Sequence, residues 1–501
     1  MRWTLEQVAG ALDSALRGGL NPLARVAGVS IDSRAIRPDE LFLAIRGPRH
    51  DGHDFVESVL AGGVAAAIVA RDRWSAYPEK VRDRLIAVDD TLRALQHLGA
   101  SVLRKWREAA PGRLVGAVAG SVGKTTTKEI LAALLAARSS VLKSSGNLNN
   151  EYGLPLTLFN LENTHDAVVV ELGMSRSGEL ARLTQIAAPD VGVITRVAVE
   201  HLEFFASMDE IALAERELIE NLPHRDGGPA AVAVLNADDE RVVRFANVAP
   251  GKIIWFGTSA KAEFRAENIE DRGIAGTVFD FVSTDGRARL ELPLIGRYNV
   301  MNALAALAAA SVWGIGVAEA RRVFATLQPA DKRGEVVHFD EGFVVINDSY
   351  NSSPTALDAL SGLLANSTSY RRRILAAGEM LELGASSPQL HRESGRYAAT
   401  TRGNDTRGID WIIGVRGDAA EIVKGAIAAG FPKERTRFFA SSDEAAKFLT
   451  DFVAKGDLLL LKGSRGVKME KILEDLRAHH GVKLVPAKAI KSAEPARTGR
   501  D

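Results

Sequence analysis

Between Val118 and Ile130 the chain reads VAGSVGKTTTKEI, with two glycines, lysines and three threonines where an apolar run ends. Residues of these types at this spacing hold phosphate. Successive backbone N–H groups of a glycine loop, and the N-terminus of the helix that follows, face the anion. Lys124 would bridge the β- and γ-phosphates of a nucleotide, and the Thr125 hydroxyl would hold Mg²⁺. The loop Gly120, Ser121, Val122, Gly123, Lys124, Thr125, Thr126 is a shortened phosphate loop, because Val118 stands where the longer pattern has its first glycine. Backbone amides do most of the cradling, so Val122 is tolerated. A bare Gly-Lys-Thr also suits an ordinary glycine turn, and context separates the two.

That context is a strand before the loop and a helix after it. LVGAVA ending at Ala119 reads as a buried strand and KEILAALLAA as a helix, the order a phosphate loop requires. Further apolar runs (AVVVELG, VGVIT, AVAVLN, IIWFG) alternate with helical patterns up to about Leu327. Their continuity predicts a parallel sheet covered on both faces. ELPLIG followed by NVMNALAALAAASVWG reads as strand, glycine turn and helix. Glu171 closes AVVVE, and a carboxylate at the C-terminal edge of a parallel sheet can reach the metal of the phosphate loop. As a lone residue it would be an ordinary strand-end carboxylate; its placement argues for the metal.

Two other blocks flank this one. Residues 1–100 mix short β-like runs (Leu41–Ile45, Ala65–Val69, Leu85–Val88) with helical segments, as a small α/β domain would. Residues 330–485 show FVVIND, RILAAGEM, WIIGVRG, TRFFA and DLLLLKGS separated by helices, the pattern of a second doubly wound α/β domain. The central domain is then 101–329, with QPADKRGE at 328–335 as a hinge. The tail 486–501 lacks a hydrophobic pattern and is expected to be disordered.

Bulk properties exclude several classes. A 501-residue chain is too long for one core. Lys+Arg and Asp+Glu balance at 63 each, so no global field draws nucleic acid or an anionic membrane, and an anionic ligand needs a local site. With no cysteine, disulfides, thiolate metal sites and a cysteine nucleophile are absent. The N-terminus lacks an apolar signal core. Ala303 to Ala318, the longest weakly polar run, is shorter than the ~20 residues of a bilayer span. The expectation is a soluble cytoplasmic protein without a membrane span.

The phosphate loop with GNLNNEYGLPLTL downstream resembles the Mur ligases, ATP-dependent amide-forming enzymes of peptidoglycan precursor synthesis. ELGMSRSGEL, HLEFFASMDEIALAERELIE, GRYNVMNALAALA, NDSYNSSP, GEMLELG with LHRESG, and KGSRGVKMEKIL extend the likeness over about residues 28–475. NNEYGLP and the last three stretches resemble the member that adds D-alanyl-D-alanine. The resemblance implies an α/β chain of three domains: a small N-terminal α/β domain for the UDP end of the substrate, a central P-loop ATPase-type parallel sheet with helices on both faces, and a C-terminal Rossmann-like domain. It implies ATP and Mg²⁺, UDP-N-acetylmuramoyl-tripeptide and D-alanyl-D-alanine as partners, and an acyl-phosphate route. The chain itself is expected to be a monomer.

Site residues follow by position from the resemblance. Lys124, Glu171, His201, Glu215 and Arg333 would be catalytic. Thr125, Glu171, His201 and Glu215 would hold metal. His201, by its chemistry alone a loop histidine because Mg²⁺ prefers oxygen, matches a family metal ligand. Glu215 is a departure: the family usually has there a lysine that becomes a carbamate, so the glutamate either supplies a carboxylate directly or is a solvated helix residue. Asn302, Arg333, Asp348, Ser349, Tyr350 and Asn351 join the phosphate loop around ATP. Asn149, Asn150 and Thr157 would meet the muramoyl peptide. Ser33, Arg34, Arg46 and Gly47 would meet the uridine diphosphate. Lys462, Ser464, Arg465 and His391 would face D-alanyl-D-alanine or the transferred phosphate. The alternatives are a folylpolyglutamate synthase-like ligase and a catalytically silent nucleotide-binding homologue.

Overall fold

A computed structural model describes residues 3–16, 20–47, 50–224 and 230–483. The disordered tail expected at 486–501 lies outside them. The chain divides into two compact units. One comprises Met1–Val197, Ser207–Phe264 and Asn302–Ile315; the other comprises Ala198–Ala206, Arg265–Met301 and the chain from Gly316 onward. The first sequence block and most of the second thus share a unit, each with its own sheet, while 198–206, 265–301 and 316–329 of the second block fall in the other.

In the first unit Gly28–Ser30, Glu40–Leu43, Ala67–Ala70 and Leu85–Val88 pair in that order, all parallel. Phe42, Val56, Val59, Leu60 and Val69 fill the space between this sheet and its helices. The helix Thr91–Ala109 starts where the Asp90 side chain accepts from Arg93 N–H, and it buries Trp106 completely.

Six parallel strands of the larger sheet lie in this unit. Their order is Ile253–Gly257, Val232–Asn236, Val191–Ile194, Leu114–Ala119, Ala167–Glu171, Val141–Lys143. Four of the strand runs are alanine- and valine-rich because both faces are covered: every residue of Ala167–Glu171 and Val191–Ile194 is buried. From the central strand Leu114–Ala119 the chain crosses first to one side of the sheet and later to the other. Right-handed crossovers therefore place Lys124–Ala136 on one face and Glu179–Ala187 and Met208–Glu220 on the opposite face. The topological switch falls at the end of Leu114–Ala119, where the phosphate loop begins.

The second unit holds a six-stranded sheet, ordered Glu335–His338, Val344–Asp348, Asp457–Lys462, Arg372–Gly378, Trp411–Val415, Thr436–Phe439, antiparallel only at its first pair. One face is sealed by Leu357, Leu360, Ile422 and Ala426, the other by Ala445, Leu449, Ile472 and Leu476. A feature absent from the sequence reading is a ribbon of three antiparallel strands, Phe264–Asp271, Thr277–Ser283 and Gly286–Leu292. ELPLIG contributes only its first residues to it. RAENIED carries charges at most positions because one face of the ribbon meets water, and so gives no continuous apolar run.

Candidate functional site

The phosphate loop takes the shape its glycines permit. Gly120 and Gly123 have φ of 113° and 92°, a region L-residues avoid. Space forbids a side chain as well. A Cβ on Gly120 would collide with Thr195 Oγ1, and one on Gly123 with Asn302 Oδ1. Thr195 closes the neighbouring strand and donates its hydroxyl to Val122 O at 2.7 Å, while Ser121 N–H donates to Arg196 O at 2.7 Å. Lys124 opens the helix Lys124–Ala136 and curls back, its ammonium donating to Gly120 O at 2.5 Å and Ser121 O at 3.1 Å. Those carbonyls are neutral, so an anion displaces them readily in favour of a charge-assisted bond.

Glu171 lies in register with Val118 on the adjacent strand, beside the loop entrance, and is 4% exposed. Its N–H donates to Ser144 Oγ at 3.0 Å, and Asn149 Nδ2 donates to its Oε1 at 3.0 Å. The second oxygen, Oε2, is buried without a hydrogen-bond partner. A buried carboxylate oxygen left bare is costly, and a cation beside it removes that cost. Thr125 hydroxyl and a carboxylate are hard oxygen donors of the kind Mg²⁺ takes, so these residues fit the ion.

Glu215 is no solvated helix residue. It is 2% exposed on the helix Met208–Glu220, and its Oε2 accepts Gly120 N–H at 2.8 Å. The sequence could not reveal this, since only the sheet order brings that helix under the loop. Among the described residues no group of three His, Asp or Glu side chains stands ready for a metal. Glu215 is engaged with the loop amide, and His201 is paired elsewhere.

In the second unit His201 has φ of 53° and its Nδ1 lies 2.6 Å from Glu382 Oε2, a residue itself at φ 64°. The imidazole beside it holds the Glu382 carboxyl below its ordinary value. Arg333 lies over the Tyr350 ring at 4.2 Å, and Arg465 stands 5.8 Å from the same ring. Tyr350 N–H donates to Lys332 O at 3.2 Å, tying the hinge to the NDSYN loop. Arg465 keeps an exposed side chain, 3.4 Å from Glu470.

Several residues expected to touch ligand are turned inward. Lys462 is 2% exposed, paired with Asp348 at 2.6 Å and donating to Asn351 O at 2.8 Å, and burial pushes its ammonium below the ordinary lysine value. Ser464 Oγ accepts Leu381 N–H, and the buried Ser349 gives its hydroxyl to Asn347 Oδ1 at 2.6 Å. His391 is fully buried: Nε2 accepts Met380 N–H at 2.8 Å, so Nδ1 carries the proton and donates to Ser387 O at 2.7 Å. Burial lowers its pKa, the Ser387 carbonyl opposing. Thr157 donates to Gly153 O inside its helix, and Asn150 Oδ1 accepts the N–H groups of Tyr152 and Gly153. These side chains are engaged within the fold, because a covered polar group must find a partner. Glu382, Ser144 and Thr195 were missed by sequence reading. Thr195 carried a usable signal: it directly follows the buried strand Val191–Ile194, at the sheet edge where Glu171 ends its own strand.

Near the N-terminus, Arg34 and Asp32 form a two-pronged pair with both contacts at 2.8 Å, and Arg34 pulls the Asp32 carboxyl down to about 2. Arg46 bonds Asp72 at 2.7 Å, and Gly47 N–H donates to His50 O. Arg34 and Arg46 stay largely exposed, and Ser33 is half-buried.

Comparison with known proteins agrees with this geometry. Residues 25–102 match the Mur ligase family catalytic domain, 118–310 the Mur ligase middle domain, and 332–465 the Mur ligase glutamate ligase domain. UDP-N-acetylmuramoyl-tripeptide–D-alanyl-D-alanine ligase of Bacillus subtilis is 33% identical over 94% of this chain and 98% of its own. Among solved structures, MurF from Acinetobacter baumannii superposes with TM-score 0.83 at 29% identity, covering 95% of this chain and 99% of that one. MurF ligase of Thermotoga maritima in complex with ADP gives 0.75 at 28% identity, covering 90% and 97%.

Proposed function

Because this chain belongs to the Mur ligase family, we infer that its phosphate loop drives ATP-dependent amide formation. The product is UDP-N-acetylmuramoyl-pentapeptide for peptidoglycan synthesis, made by joining D-alanyl-D-alanine to UDP-N-acetylmuramoyl-tripeptide. One observation carries this reading: the likeness to the Bacillus subtilis ligase runs through 98% of that protein, substrate-holding and nucleotide-holding blocks alike. A folate ligase has no use for a uridine diphosphate site, and a silent homologue has no use for an intact Lys124, Thr125 and Glu171.

The chemistry follows from charge. An amine does not displace oxide from a carboxylate. Transfer of the γ-phosphoryl group of ATP to the tripeptide's terminal carboxylate makes an acyl phosphate. The dipeptide amine then attacks that carbonyl, loses its proton, and inorganic phosphate leaves. Bringing two anions together is mainly a matter of neutralisation and alignment. Lys124 exchanges its two carbonyl partners for phosphate oxygens, and the amides of the loop and helix N-terminus cradle the rest. Mg²⁺, held by Thr125 and Glu171, would neutralise the charge on the oxygens between which phosphoryl moves.

We assign His201 and Glu215 to metal holding as well, with Glu215 supplying a carboxylate directly where the family has a modified lysine. Arg333, Asn302, Asp348, Tyr350 and Asn351 are assigned to the nucleotide, Arg465 to the incoming dipeptide or the phosphate, and Ser33, Arg34, Arg46 and Gly47 to the uridine diphosphate. Arginines held by exposed carboxylates support that last assignment, since a diphosphate is a stronger partner than a solvated Asp72. Blocks 1–100, 101–329 and 330–485 are taken as the working domains. The enzyme is placed in the cytoplasm as a monomer; no helix among the described residues is long and apolar enough to cross a membrane.

The test weighs the product formed from ATP, Mg²⁺, UDP-muramoyl-tripeptide and D-alanyl-D-alanine. A mass equal to the two substrates less one water is expected, with one phosphate released per product and the same rate in buffer stripped of carbon dioxide. Phosphate release with a folate and glutamate instead, or none with either pair, sinks the assignment. A rate that collapses without carbon dioxide removes Glu215's direct role.

A further inference from the structure

We propose that Asn149 is a positioning residue for the Glu171 carboxylate, fixing one of its oxygens so that the other stays aimed at the metal. The proposal rests on the reading of Glu171 as a metal holder. A carboxylate at a strand end has a side chain that rotates about three bonds, and an unrestrained one hydrogen-bonds to whatever amide is near. Here its freedom is removed from two directions. The backbone of Glu171 is tied through its N–H to Ser144 Oγ, and Ser144 O receives the buried Lys128 ammonium at 2.7 Å. The side chain is tied through Oε1 to Asn149 Nδ2 at 3.0 Å, and Oε2 is left buried and unpartnered.

Asn149 is itself clamped. Its carbonyl oxygen accepts Gly173 N–H at 2.8 Å, and its own N–H donates to Asn147 O at 2.8 Å. Glycine at 173 is needed for the fit: a Cβ there would stand 2.9 Å from Asn149 Nδ2 and 3.2 Å from its Cγ. The amide is thus wedged between the loop that carries it and the residue two places beyond Glu171. An amide is the right chemistry for this place. It donates to a carboxylate without adding charge that would compete with a divalent ion, as a lysine would, and without repelling Glu171, as an aspartate would. Groups that orient a metal-holding side chain in this way typically govern affinity by about 10–100-fold.

The experiment measures binding of a non-hydrolysable ATP analogue by calorimetry, once with Mg²⁺ and once with a chelator, so that the metal-dependent gain in affinity is read without turnover. Asn149→Ala is expected to shrink that gain about 10–100-fold while leaving chelator-condition affinity within about twofold. Gly173→Ala keeps the asparagine but pushes it off Glu171, and is expected to move the gain in the same direction. Glu171→Ala serves as the reference and abolishes the gain. If Glu171→Ala abolishes it while Asn149→Ala and Gly173→Ala keep it in full, the proposal is wrong and the metal reading stands. If Asn149→Ala keeps the gain and instead raises KM for the muramoyl substrate, Asn149 is a substrate contact. Equal loss with and without Mg²⁺ makes it a structural support of the loop, which also overturns the proposal. A Glu171→Ala protein with an undiminished gain removes the metal reading itself.

Discussion

Two lysines stand just past or at the C-terminal end of a parallel strand, one in each unit, and the chain uses them oppositely. Lys124 is part-exposed and touches two neutral carbonyls. Lys462 is buried against the Asp348 carboxylate and a second acceptor, Asn351 O. The first ammonium lies beside the phosphate loop, on carbonyls that a phosphate outbids. The second has a charged partner at 2.6 Å in a place water does not reach, so it is committed to holding the NDSYN loop. The residue type is the same; burial separates the two, since Lys124 is part-exposed at a helix start and Lys462 is 2% exposed at a strand end.

The largest effect expected from this contrast is on rate. Lys124→Ala should lower phosphate release on the order of 10³-fold, with binding of UDP-muramoyl-tripeptide nearly unchanged by calorimetry, because the lysine acts on charge that develops during transfer. Equal losses in both would erase the distinction. Next comes stability. Lys462→Met strands a buried carboxylate and should cost about 3–5 kcal/mol in denaturant unfolding, and the paired change with Asp348→Asn should recover part of it. Lys124→Met should leave the unfolding midpoint almost where it was. A Lys462→Met protein as stable as its parent would show the pair to be a ligand contact after all.

The smallest effect concerns His391. Burial lowers its folded pKa beneath the ordinary 6.5, so the unfolded chain takes up the proton more readily than the folded one. Its contribution is fully present above about 6.5 and is lost as pH falls towards the folded value. Melting temperature measured from pH 7.5 to 5.5 should therefore drop more steeply in the parent than in His391→Gln. Parallel curves would mean that the folded protein takes up the imidazole proton as readily as the unfolded chain.

Much of this was legible beforehand. The strand–loop–helix around Gly120, the carboxylate ending AVVVE and the alternation in the last block could each be read because they are local: apolar period, glycine and a threonine after lysine lie within a dozen residues. Other contacts were not legible. Lys462, Ser464, Ser349, Thr157 and His391 lie in motif-like stretches, and each makes a contact with a backbone group or side chain of its own unit that no local pattern records. The antiparallel ribbon from 264 to 292 was invisible because its pattern is polar on one face.

By itself, then, the sequence determined where the chain can turn tightly enough to cradle phosphate and which runs must be buried as strands, since glycine's freedom and apolar continuity are properties of the chain alone. Only the tertiary structure decided which charged side chains remain for ligands. Glu215 reaches Gly120 across 95 residues, and Asn149 reaches Glu171 across 22. Whether a carboxylate or amide is available depends on what packing has already set against it, and no local pattern records that.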